Sequence, residues 1–244
     1  MKHSPAAGGP PQPIGGGQAL AQGEIASLLQ PFARRPLTEE QLASLSHYLD
    51  LLLRWNARLN LTSVRDARGI VTRHIGESWF AAERLLPDPG ACLRAVDVGS
   101  GAGFPGLPLK LYAPRLELTL IESQHKKATF LRETIRLLGL SGASVFAGRA
   151  ETFPGKAELV TLRAVERFEQ ILPIAAALLD RGSGAAGGNG SHDTVVPPRL
   201  ALLIGASQIA RARKLLPSCR WEEPVSIPQS ASRVLAVGVP VLGG

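Results

Sequence analysis

Three glycines alternate through Gly99, Gly101 and Gly103, and a carboxylate, Asp97, stands two residues ahead of the first. Phe104, Pro105 and Gly106 close the run, and the apolar stretch Leu93 to Val98 leads into it. That order reads as a strand, a tight turn and a helix start, with main-chain atoms bared at the turn. Two cofactor classes use such a turn. Gly101 to Gly106 satisfies the dinucleotide spacing G-x-G-x-x-G, whereas Asp97-x-Gly99-x-Gly101-x-Gly103 has the spacing of S-adenosylmethionine (SAM) methyltransferases. A dinucleotide needs free N–H groups at a helix N-terminus beneath its pyrophosphate, and Pro105 removes one such donor. SAM carries a sulfonium and an amino-acid zwitterion instead. Glycines let the backbone approach it, and Asp97 is placed to hold its ammonium group directly or through water.

Glu122 ends the next apolar run, Leu116 to Ile121, where a carboxylate meets ribose hydroxyls. It supports a nucleoside cofactor without choosing between NAD and SAM. Arg149, Ala150 and Glu151 follow the third strand, with Ala150 and Glu151 placed to border an adenine. Arg163 closes the fourth strand beside the same crevice. Lys126 and Lys127 stand at a helix start, where the dipole disfavours cations, and so point to an anionic ligand. His74 and Ser78 are four apart on a helix. There is no Gly-x-Ser-x-Gly elbow, no Walker loop and no paired cysteine ligands. Methyl transfer to a ring nitrogen whose lone pair is free at neutral pH needs no general base, and it fits that absence.

The elements that must position these residues are legible from patterning. Thr38 with Gln41 forms a capping box, and Leu42, Leu45, Leu49, Leu52 and Leu53 make one helical stripe. Asn60 to Ser63 interrupts it. A second helix carries Val71, Ile75, Trp79, Ala82 and Leu86 on one side and stops at Pro87 to Gly90. Strands are expected at 93–98, 116–121, 143–147, 158–162, 200–204 and 233–239, with helices at 105–112, 124–139, 165–180 and 206–216. That alternation predicts an α/β Rossmann-like fold, a mostly parallel sheet with helices on both faces and an N-terminal helical extension. The expected organisation is a disordered tail over 1–22, a helical segment over 23–90 and a cofactor-binding core over 91–244, with a flexible insertion at 181–198.

The chain holds 27 basic and 20 acidic residues, a net charge of +7 that no basic tail accounts for. Arg54, Arg58, Arg65, Arg68 and Arg73 face only Asp66 between residues 54 and 73, which suits a polyanion such as RNA. The two cysteines, Cys92 and Cys219, have no metal or disulfide spacing, and no apolar run approaches the roughly 20 residues of a membrane span. A soluble cytoplasmic monomer without a metal is the resulting expectation.

Several separate motifs, in order, resemble the ribosomal RNA small subunit methyltransferase G family, also called glucose-inhibited division protein B. They are Trp55-Asn56, Asn60 to Asp66, Arg73 to Ser78, Asp97 to Pro108 with its Phe-Pro-Gly, Glu122-Ser123 with Lys126-Lys127 and Phe130-Leu131, Arg149 to Glu151, and Arg163-Ala164. The match spans roughly residues 38–180. The resemblance implies SAM-dependent methylation of N7 of one guanosine in 16S rRNA, near the decoding region of the small ribosomal subunit. It implies SAM contacts at Gly99, Phe104, Glu122, Ser123, Gln124, Ala150, Glu151 and Arg163, with Arg163 organising the site. RNA contacts are expected from Arg54, Arg58, Arg65, His74, Lys126, Lys127 and Arg149. Two departures stand out: Glu77 where the family more often has aspartate, and Ile204-Gly205 where it usually has Lys-Gly. Other readings are a SAM enzyme acting on a small molecule and an RNA-binding module with a vestigial cofactor site.

Overall fold

A computed structural model describes residues 20–90, 92–180 and 197–241. The N-terminal helices are α1 (Gln22–Leu29), α2 (Glu39–Leu59), α3 (Ala67–Ile70) and α4 (Glu77–Leu85), with one π-helical stretch, Val71–Gly76, joining α3 to α4. The strands are β1 (Arg94–Val98), β2 (Glu117–Glu122), β3 (Ala143–Ala147), β4 (Leu159–Arg163), β5 (Arg199–Gly205), β6 (Cys219–Trp221), β7 (Val225–Ser226) and β8 (Arg233–Pro240). Between them run α5 (Gly106–Tyr112), α6 (His125–Leu137), α7 (Phe168–Ala177) and α8 (Ile209–Leu215). The sheet order is β3-β2-β1-β4-β5-β8-β6, with β7 paired to β8. The first five strands in that order are parallel, and β8 runs antiparallel to β5, β6 and β7.

Alternation along the strands divides the core. Ala95, Leu118, Leu120, Leu159, Ala201 and Leu203 face α1 to α6, while Val96, Val98, Ile121, Val160, Leu162 and Leu202 face α7 and α8. The N-terminal helices are pinned to that first face by ring contacts. Trp55 meets Phe130 edge-on at 5.8 Å and Trp79 meets Tyr112 at 5.5 Å. Thr38 accepts from the Gln41 N–H while Gln41 accepts from the Thr38 N–H, so the expected capping box opens α2.

Several boundaries differ from the sequence expectation. Helix α1 begins at Gln22, inside the expected tail, because Ile25 and Leu29 bury completely; residues 1–19 lie outside the described residues. The helix expected over 165–180 starts only at Phe168, since Ala164 and Arg167 adopt left-handed φ of 48° and 56°. The second N-terminal helix carries the π-helical stretch rather than continuing evenly. Strands β6 and β7 were not expected. The insertion expected at 181–198 falls outside the described residues as far as 196.

Candidate active site

The glycine turn sits where the sheet order reverses. Strand β1 leads to β2 and β3 on one side, and β4 and β5 continue on the other, which opens a crevice at the carboxyl ends of the strands. Register sets what meets there. Val98 pairs with Ile121 on one side and with Leu162 on the other. The next residue of each chain segment is therefore Gly99, Glu122 and Arg163, all at one level. A cavity of about 560 Å³ opens at that level.

The turn is held from four directions. Ser100 donates its N–H to the Ile121 carbonyl at 3.0 Å, and its hydroxyl donates to the Asp97 carbonyl at 2.9 Å. Gly101 donates its N–H to Glu122 Oε2 at 2.9 Å, and Gln124 donates its N–H to Glu122 Oε1 at 2.7 Å. Buried Tyr48 donates its hydroxyl to the Ala102 carbonyl and packs at 5.5 Å, tilted, against Phe104. Gly101 (φ 55°) and Gly103 (φ 92°) need the left-handed region, for different ends. A Cβ on Gly101 would meet nothing closer than the Gly99 carbonyl at 3.8 Å. A Cβ on Gly103 would strike Leu107 at 2.3 Å.

Of the residues expected at the cofactor, Gly99, Gly101, Phe104, Glu122, Ser123, Gln124, Ala150, Glu151 and Arg163 line the cavity. Asp97 and Gly103 do not. The Asp97 side chain has no exposed surface; it lies behind the turn, where Oδ1 accepts from Thr161 Oγ1 at 2.7 Å. This differs from a direct hold on an ammonium group, and the alternation of β1 is the reason: Asp97 follows Ala95 onto the face covered by the N-terminal helices. Burial pushes its carboxyl up from 3.8 to about 6, against the lowering effect of the Thr161 hydroxyl.

Of the residues expected at RNA, His74, Lys127 and Arg149 line the cavity, whereas Arg54, Arg58, Arg65 and Lys126 stand outside it. Arg54, Arg58 and Lys126 are exposed. Arg65 is occupied: Nη1 donates to the Asn56 carbonyl at 2.9 Å and Nη2 to Asn60 Oδ1.

Sequence reasoning missed a polar chain on the far wall. Arg163, with 9% of its side chain exposed, has the two hydrogens of Nη2 shared among three neighbours: the Arg73 carbonyl at 2.8 Å, and Glu77 Oε2 and His74 Nδ1, both at 2.9 Å. Glu77 also accepts from Arg233 Nε at 2.9 Å. Arg233 in turn donates to the Leu203 carbonyl at 3.0 Å, so it brings a cation beside Ile204, whose own side chain is buried in the core. His74 Nε2 lies 2.6 Å from Thr62 Oγ1. Burial first, then Arg163, hold the imidazole down from 6.5 to about 3, so it is neutral at physiological pH. The loop carrying Thr62 is set by buried Asn56, which accepts from the Thr62 N–H at 2.9 Å and donates to the Val64 carbonyl at 3.1 Å. Glu77 lies within the segment Arg73 to Ser78, but only the fold brings Arg233 to it from 156 residues away.

A parallel sheet with an antiparallel last strand, a glycine turn at its switch point and a carboxylate ending the next strand define a Rossmann-like SAM-dependent methyltransferase. The fold is shared with magnesium protoporphyrin IX methyltransferase from Synechocystis (TM-score 0.57, 14% identity, 86% of this chain and 100% of that one). It is also shared with a ribosomal protein L11 methylase from Lactobacillus delbrueckii (TM-score 0.52, 15% identity, 70% and 80%). Within that class the chain belongs to the rRNA small subunit methyltransferase G family, whose sequence profile matches residues 41–186. Curated proteins of that name are similar along most of its length. The one from Chloroflexus aggregans is 36% identical over 210 residues, covering 83% of each chain. The one from Roseiflexus castenholzii is 37% identical over 213 residues, covering 84% of this chain and 86% of that one.

Proposed function

We propose that this protein uses SAM to methylate N7 of a guanosine in 16S rRNA of the small ribosomal subunit, acting as a cytoplasmic monomer. Family membership supports the RNA substrate. One observation carries the chemistry: Gly99, Glu122 and Arg163 converge on one cavity at the switch point of the sheet. The residues there fit SAM. Glu122 has both oxygens anchored by backbone N–H groups, so its outward lone pairs suit two ribose hydroxyls. Gly101 leaves open space beside the turn, and Ser123, Gln124, Ala150 and Glu151 form the adenosine end of the wall.

When bound, SAM supplies a methyl group on a sulfonium, which a ring nitrogen accepts through its free lone pair. The protein's task is then alignment, which can contribute about 7–11 kcal/mol. Phe104, packed between Tyr48 and His74, provides a fixed apolar wall. Arg163 organises the same wall by tying β4 to His74 and Glu77. Exposed Arg54, Arg58, Lys126 and Arg149 serve as phosphate contacts that position the RNA. Incubation of assembled small subunits, naked 16S rRNA and a small-molecule panel with radiolabelled SAM tests the proposal. Label in RNA supports it, and label confined to small molecules overturns it.

A further inference from the structure

Thr62 lines the cavity, and its hydroxyl oxygen lies between His74 Nε2 and the Val64 N–H. A guanidinium can only donate. Arg163 Nη2 faces His74 Nδ1 at 2.9 Å, a contact that favours a lone pair on Nδ1, and Nη2 also reaches the Arg73 carbonyl beside it at 2.8 Å. With Nδ1 accepting from Arg163, the neutral ring would carry its proton on Nε2, which lies 2.6 Å from Thr62 Oγ1. The Val64 N–H donates to the same oxygen at 3.2 Å. Both lone pairs of Oγ1 are then engaged. In that tautomer its own O–H has no acceptor among the described residues.

We infer that Thr62 is a specificity-determining residue: the Arg163–His74 pair fixes its hydroxyl as a pure donor, which the carbonyl oxygen of the target purine accepts. Guanine carries the acceptor O6 next to N7, whereas adenine carries an N–H donor at the same place. A hydroxyl that can only donate binds the first edge and repels the second. The inference rests on the proposed guanine-N7 activity and adds the basis of base choice.

The test is a cycle between a side chain and a base atom. Small subunits are reconstituted with guanine or with 2-aminopurine, which lacks O6, at the methylated position. Both are assayed with the wild-type protein, T62S and T62V, and SAM affinity is measured by calorimetry. Wild type and T62S should lose about tenfold in kcat/KM on removal of O6, the scale of one hydrogen bond. T62V should already be about tenfold down on guanine and lose little more on 2-aminopurine, with SAM affinity unchanged. If T62V does not fold, T62C, whose thiol is a weak donor, replaces it in the same cycle. Equal sensitivity to O6 in wild type and variant overturns the role of Thr62. Absence of methylation of guanine by the wild-type protein overturns the proposed function itself. Nitrogen NMR of His74 adds a direct check: a proton on Nδ1 instead of Nε2 would make Thr62 the donor to His74 and would contradict the inference.

Discussion

Glu122 and Gly101 are joined by a 2.9 Å hydrogen bond from the glycine N–H to the carboxylate, which locks the end of β2 to the turn after β1. One side chain thus shapes the turn and presents the acceptor expected at the ribose. E122Q replaces one accepting oxygen with an amide that must face either the Gly101 or the Gln124 N–H. Hydrogen bonds to charged groups contribute about 1.5–3 kcal/mol, so SAM affinity should fall roughly tenfold to a hundredfold. Calorimetry with SAM checks this; an unchanged dissociation constant would place the ribose elsewhere.

Gly101 and Gly103 should separate binding from folding. A side chain at Gly101 enters open space along the cavity, and aspartate tolerates its φ of 55° at modest cost, so G101D should abolish SAM binding with only a small loss of stability. A methyl at Gly103 collides with Leu107 and takes a φ of 92° that L residues rarely adopt, so G103A should lower the melting temperature markedly. Circular dichroism melts beside calorimetry distinguish the two. Equal loss of stability in both would contradict the assignment.

The alternating glycines and Glu122 were legible because backbone chemistry dictates residue type there. The stripe on α2 and the capping box at Thr38 were legible because helical period and orphan N–H groups do the same. The residue type of Asp97 is informative but its direction is not: the alternation of β1 turns its side chain away from the cavity. Strand β6, with three residues, and β7, with two, are too short to leave a periodic signal, and only pairing with β8 forms them. The left-handed Ala164 and Arg167 carry no glycine or asparagine to announce them. The chain from Thr62 through His74 and Arg163 to Glu77 joins the N-terminal helices to the end of β4, some 89 residues on from His74, which no local pattern encodes.

Two buried groups should act oppositely on stability between about pH 4 and pH 6. Asp97 is raised from 3.8 to about 6, so the folded protein holds a proton there that the unfolded chain releases, and stability falls as pH rises. His74 is lowered from 6.5 to about 3 amid Arg163, Arg233 and Arg73, so the unfolded chain holds the extra proton, and stability rises with pH. H74Q removes the second effect alone. Across that window the wild-type protein should gain stability relative to H74Q in urea titrations. Parallel curves would show that His74 is not held neutral by the fold.

Arg54 and Arg58 are exposed on α2 and stand outside the cavity, so their loss should weaken RNA binding and spare SAM binding. Each phosphate contact removed should reduce the slope of log affinity against log salt by about one. Binding of small subunits by R54A/R58A across a salt series measures it; an unaltered slope would move the RNA path off this face. Arg65 is a poorer probe, because it braces Asn56 and Asn60.

The central claim is tested most directly by mapping the methyl group. Small subunits treated with the protein and SAM are reduced with borohydride and cleaved with aniline, which breaks RNA at 7-methylguanosine. Strand scission at a single guanosine of 16S rRNA, absent without SAM and lost with G101D, is the predicted result. Methyl incorporation without scission, or scission independent of SAM, would contradict guanine-N7 methylation by this site.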